Sequence, residues 1–364
     1  MHGHSHFAFS AWVSQAILLG FIWVLYLIHQ DDKLPKKYQY ILLINTFLSY
    51  GILFAFTVQG YALYSIILST CYIIFTYIFS WIIWLDIKKA TLSKSLKIQF
   101  FSALIFNVIS SIGTFYLVYL RVLDQLTVWN QLASVYFYLH FQYNGWFFFG
   151  CLGLFNAWVE KKTGIIVGHT KFWLAYVFTV IPAFLLSILW WKGFPNWLYF
   201  LVIATVLVQL IFWIKVCLSW KHIISLMKLR SFNSNTKLYW ICSFWAVGLK
   251  LLLQGFSVIP ALSNLAYGFR PIVIAYLHLV LLVIISLFLI GFLLQVQGLR
   301  TAKSRIITCL LIFGIFLNEF ILMLQGMAGL FRFSVPGTHQ LLLLAASIIS
   351  ISLIAFVINQ RIVK

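Results

Sequence analysis

Eleven apolar runs partition this chain, near residues 7–28, 39–58, 61–85, 99–120, 133–158, 172–190, 196–216, 238–259, 271–294, 305–325 and 340–360. A helix crosses a bilayer with about 20 residues at roughly 1.5 Å of rise each, and these runs approach or exceed that length. Only Gln59 and Gly60 separate the second run from the third. Hydrophobic residues make up 63% of the chain and charged residues 9%, against about 25% charged in soluble domains. The expected fold is all-α: a polytopic integral membrane helix bundle of about eleven transmembrane helices, forming a single transmembrane domain over 1–364.

The gaps between the runs decide the orientation. Assigned alternately to two sides, one set holds twenty Lys and Arg, from Lys33, Lys36 and Lys37 through Lys88 and Lys161 to Arg361 and Lys364. The other holds Arg121, Lys192, Arg270 and Arg332, and Lys250 lies inside a span. Cytoplasmic loops carry the excess of basic residues. The N-terminus is therefore expected outside and the C-terminus in the cytoplasm, in a multi-pass protein of the cell inner (cytoplasmic) membrane. The first run lacks a basic n-region and a small-residue cleavage site and is expected to remain as a helix. The net charge of +19 then reports topology, with lipid as the partner and not nucleic acid.

With this orientation, six of the nine histidines fall at one end of the spans. His2, His4 and His6 precede the first, His140 and His278 lie about seven residues into the fifth and ninth, and His339 heads the eleventh. All six belong to the outer leaflet or its surface. Ionisable side chains at membrane depth are costly and mark functional sites. Imidazole is the commonest protein metal ligand and an axial ligand of heme iron. Interhelical hydrogen bonding is the other reading for His140 and His278, and a solvated terminus or adventitious metal tract is the other reading for His2, His4 and His6. Three of the four outer basic residues are arginines, Arg121, Arg270 and Arg332, whose planar fork suits carboxylates such as heme propionates. Ordinary interfacial anchoring is the alternative for them.

Glu319 is the one carboxylate inside a run and Lys250 the one lysine deep within a run, at similar depth from the cytoplasmic side. Such residues are candidates for a proton path or a structural salt bridge. Cys71, Cys151, Cys217, Cys242 and Cys309 form no C-x-x-C pair and read as packing residues. No nucleotide-binding loop or nucleophile elbow stands in a suitable context.

The opening His2-Gly3-His4-Ser5-His6-Phe7-Ala8-Phe9-Ser10-Ala11-Trp12 resembles the turn into a ligand-bearing helix of heme-copper oxidase subunit I and its nitric-oxide-reductase relatives. His140-Phe141-Gln142-Tyr143-Asn144-Gly145-Trp146 is similar to the histidine helices of the same superfamily, and His4, His6 and His278 resemble the histidines of NnrS-type heme-copper membrane proteins. The resemblance implies a heme, of b type, held among His4, His6, His140, His278 and His339. It allows copper as a further metal at His2, His4 and His6, and cytochrome c, quinol or other membrane subunits as partners. The chain departs from the pattern of a terminal oxidase: it has no His-His pair and no H-P-E-V-Y-like run. Ligand roles are carried over, oxygen reduction is not, and whether the chain is an oxidoreductase is left open. The expected function is electron transfer, or handling or sensing of NO or O₂, at a heme near the outer face. The alternative is a secondary transporter or metal-ion permease in which the outer histidines capture a cation and Glu319 with Lys250 couple protons.

Overall fold

A computed structural model describes residues 2–26, 34–191, 193–226, 233–260, 262–263, 270–297, 300–301, 304–331, 333 and 335–361. The described chain is almost entirely helical. Its one extended pairing is a two-residue antiparallel clip, β1 (Arg300–Thr301) against β2 (Gln360–Arg361). Among the described residues ten helices are long and apolar enough to cross a membrane. The protein is thus a polytopic helical membrane bundle. The expected fifth span is the exception: it falls within an unbroken helical run from Val128 to Thr163 that is not among those ten. His140, Gln142 and Asn144 dilute its hydropathy, and it offers its polar groups to protein instead of lipid, since all three are buried.

By its internal contacts the chain divides into two compact units, Met1–Ser187 and Ile188–Lys364. Unit 1 begins with α1 (His2–Phe7), a π-helical segment π1 (Ala8–Ser14) and α2 (Gln15–Leu25). Then come α3 (Lys36–Gln59), α4 (Leu63–Lys89), α5 (Lys94–Val122), α6 (Val128–His140), a second π-helical segment π2 (Phe141–Phe147), α7 (Phe148–Thr163) and α8 (Thr170–Ala183). A short 3₁₀ stretch, Phe184–Ile188, follows. Local chemistry sets the ends. Pro35 precedes α3, the Ser93 and Thr127 hydroxyls accept backbone N–H groups at the starts of α5 and α6, and Gly164 closes α7 in the left-handed conformation that glycine adopts without steric cost.

The core of unit 1 is α2, π2 and α7, whose large side chains are nearly all buried, Trp146, Phe147, Phe149 and Trp158 among them. Close approach depends on missing side chains, as at Gly145 and Gly113. A Cβ on Gly145 would sit 2.4 Å from Phe106 Cβ, and one on Gly113 would sit 2.5 Å from the Ser134 carbonyl. At the expected cytoplasmic end, Asp86 accepts from the Lys37 ammonium, from Tyr38 at 2.6 Å and from Tyr26 at 3.3 Å. That cluster ties α2, α3 and α4 together.

Unit 2 comprises α9 (Asn196–Leu226), α10 (Ser234–Ser257), α11 (Arg270–His278), a third π-helical segment π3 (Leu279–Ser286), α12 (Leu287–Gln297), α13 (Ser304–Leu330) and α14 (Thr338–Ile358). The α11–π3–α12 run is its core, with Val283, Ile285, Leu287 and Leu289 at or below 1% exposure. By contrast α14 leaves Leu343, Ile354 and Ile358 exposed, as a helix facing hydrocarbon requires.

Candidate functional site

π-Helix is rare, well under 1% of residues in ordinary proteins, and single π turns mark functional positions. Among the described residues three such segments of seven or eight residues occur, and each follows a histidine. Ala8 begins two residues after His6, Phe141 directly after His140, and Leu279 directly after His278. Widening a helix to i→i+5 loosens backbone carbonyls, and side chains cap some of those here. Asn45 Nδ2 donates to the Ser10 carbonyl in π1 at 3.0 Å, Ser243 Oγ to Ile284 O in π3 at 2.7 Å, and Ser286 Oγ to Leu281 O at 2.7 Å.

Within unit 1 the two π segments touch. Trp146 Nε1 donates to Ser14 Oγ at 3.2 Å, and the Phe9 and Phe147 rings lie 5.2 Å apart. Both stretches read His-Phe-x-aromatic-x-small-Trp, at 6–12 and 140–146. That correspondence is the signal by which the pair could have been found in the sequence.

His140 is 1% exposed. Its Nε2 donates to the Val180 carbonyl at 2.9 Å, and its Nδ1 accepts from Asn144 Nδ2 at 3.0 Å. The recipient explains the bond. At the end of α8 the helix tightens and the Phe184 N–H turns to Ile181 and Pro182, so it does not reach the carbonyl four residues back. The imidazole supplies that carbonyl with a donor. With both nitrogens engaged, His140 offers no lone pair to iron. Of the ligand set implied by the resemblance, this residue does not fit in the observed arrangement.

His6 stacks on Phe56, with centroids 4.5 Å apart and planes at 12°, and its Nε2 lies 3.4 Å from the Tyr61 hydroxyl. His4 and His339 are exposed, and the side chain of His2 lies outside the described residues. The described His, Cys, Asp and Glu side chains form no group of three able to hold a metal ion. Arg121 is exposed at the end of α5, and neither the side chain of Arg270 nor Arg332 is within the described part.

His278 in unit 2 is half-buried. Asn318 Nδ2 lies 3.1 Å from its Nδ1 and 3.3 Å from Glu319 Oε1, and that carboxylate oxygen is 3.7 Å from the same Nδ1. The α11–α13 contact thus joins a histidine, an amide and an acid. Asn318 and Glu319 both lie on the Nδ1 side of the ring. A second partner of this kind accompanies nearly every metal-ligating histidine. Lys250 is 8% exposed on α10. Among the described residues Lys37 and Asp86 form an ion pair and Glu319 Oε1 lies 3.7 Å from His278 Nδ1, so Glu319 stands beside His278 and not beside Lys250.

Compared with known proteins, the chain matches no protein-family model and no curated sequence.

Proposed function

We propose that this chain is a heme-carrying multi-pass membrane protein serving electron transfer or the handling of NO or O₂. One observation carries the reading: each of three histidines on separate helices stands where its helix opens into a π segment. A rare backbone form repeated beside the same residue type argues that those histidines are what the helices are shaped to present. The resemblance to heme-copper subunit I supports heme as the group for His6 and His278, while His140 spends both ring nitrogens inside the fold. When bound, heme supplies one-electron chemistry and an iron site for a diatomic ligand.

His278 is the residue assigned to hold it, through Nε2. Ligation then puts the remaining ring proton on Nδ1, where it needs an acceptor. Glu319 Oε1, 3.7 Å away, is the acceptor on that side of the ring. His6 is the candidate in unit 1, while His140 serves as a tether. Copper, which would need several converging side chains, is left out of the proposal. The charge asymmetry of the loops supports the inner membrane, and cytochrome c or quinol suits the redox role.

The test is an optical spectrum of the purified protein, oxidised and then reduced with dithionite. A Soret band with sharp reduced bands that disappears in His278→Ala supports the reading. Colourless protein defeats it.

A second reading has its own observation. The contact of His278, Asn318 and Glu319 inside an apolar bundle is a place to hold a proton, as in proton-coupled secondary transporters. Colourless protein that acidifies liposomes along an imposed gradient, and stops doing so in Glu319→Gln, favours it.

A further inference from the structure

Asn45 and Ser49 sit one turn apart on the buried face of α3, both at 0% exposure. The Asn45 amide is fixed in orientation. Its Nδ2 donates to the Ser10 carbonyl at 3.0 Å and to Gln15 Oε1 at 2.7 Å. Gln15 in turn is fixed by donating to Leu42 O and Thr46 Oγ1, both at 3.3 Å. Exchanging O and N on Asn45 would set oxygen against oxygen, so Oδ1 is committed to the opposite side. Neither Asn45 Oδ1 nor Ser49 Oγ has a hydrogen-bond partner among the described residues.

An acceptor left unmade at zero exposure is expensive, about 1–3 kcal/mol, and side chains four apart on a helix are neighbours. What the pair lacks is a group that donates to a carboxamide oxygen and exchanges a hydrogen bond with a hydroxyl. We infer that a single ordered water is built into unit 1 between Asn45 and Ser49, donating to Oδ1 and hydrogen-bonded to Ser49 Oγ. A cation is the poorer match, because hard cations take about six or more oxygens and two are presented. The water sets the Asn45 carboxamide from behind while its amide caps the Ser10 carbonyl, which stabilises π1 in its widened form. The site does not depend on whether heme binds.

Two measurements on the full chain test it. A high-resolution cryo-EM map should hold an ordered peak within hydrogen-bond distance of both Asn45 Oδ1 and Ser49 Oγ. Ser49→Ala should lower the melting temperature, by about 2 °C, relative to Ser347→Ala. Ser347 is an exposed residue of α14 whose hydroxyl bonds its own helix at Leu343 O, so it carries the same change in helix propensity. Were the hydroxyl unpartnered, its removal would be neutral or stabilising. A protein donor on Asn45 Oδ1 in the map, or a Ser49→Ala protein as stable as the control, overturns the inference.

Discussion

The imidazole of His140 donates through Nε2 to the backbone carbonyl of Val180, 2.9 Å away across the α6–α8 contact. Both ends of the bond are buried, and the carbonyl has lost its regular helical donor. His140→Ala should therefore destabilise the protein by about 1–3 kcal/mol, read as a lower melting temperature in detergent. His140→Gln, which keeps a donor, should recover part of that. If the protein carries heme, the reduced spectrum of surviving His140→Ala protein should match the wild type. A spectrum lost without loss of stability would make His140 a ligand after all.

Glu319 sits 3.7 Å from His278 Nδ1 and forms no described ion pair with Lys250. A double-mutant cycle should find Glu319→Gln coupled to His278→Ala by roughly 0.5–3 kcal/mol. Glu319→Gln with Lys250→Met should be additive to within about 0.5 kcal/mol. The reverse pattern would restore the acid–lysine pair expected from depth alone.

That contrast shows where the sequence is legible. Hydropathy and loop charge place helices along the membrane normal: the span Lys36–Gln59 contains the expected 39–58, and Leu63–Lys89 covers all but the first two residues of the expected 61–85. They carry no azimuth, so Glu319 and Lys250 could be put at one depth but not beside each other or apart. The π segments are hidden for a related reason. Leu279–Ser286 is apolar in seven of its eight residues and has no polar marks by which a change of helical period could be read. The partner of His140 is invisible in principle, since a backbone carbonyl belongs to every residue and only the helix tightening at Phe184 makes that of Val180 available.

Glu160 lies past the apolar stretch of α7, where its Oε1 accepts from Ser93 Oγ at 3.2 Å. Burial pushes its carboxyl above the ordinary value of 4.5, and the bonds from Ser93 and the Val167 backbone only partly oppose this. A group whose folded pKa is raised favours folding most below its unfolded value, and this contribution disappears as pH rises through the folded one. Thermal stability should thus gain a component on acidification toward 4.5 that is absent at neutral pH. Glu160→Gln keeps an acceptor for Ser93 and removes the charge. It should melt higher than the wild type at neutral pH and lack that component, and an unchanged pH profile in the variant would rule this out.

Gly145 lies in π2, where a Cβ would approach Phe106 Cβ to 2.4 Å. Phe106 is 2% exposed and stacks on Phe141 at 5.6 Å, the residue that follows His140, so the ring has little room to yield. Gly145→Ala should cost about 1–3 kcal/mol as overpacking. The displacement should also reach the neighbouring tether, because π2 can retreat from α5 only by moving the helix that carries His140. In a background already lacking the tether, Gly145→Ala should therefore cost less than it does alone. Melting temperatures of Gly145→Ala, His140→Ala and the double variant measure this directly, and strict additivity would mean that the π2–α5 contact and the His140–Val180 bond are independent.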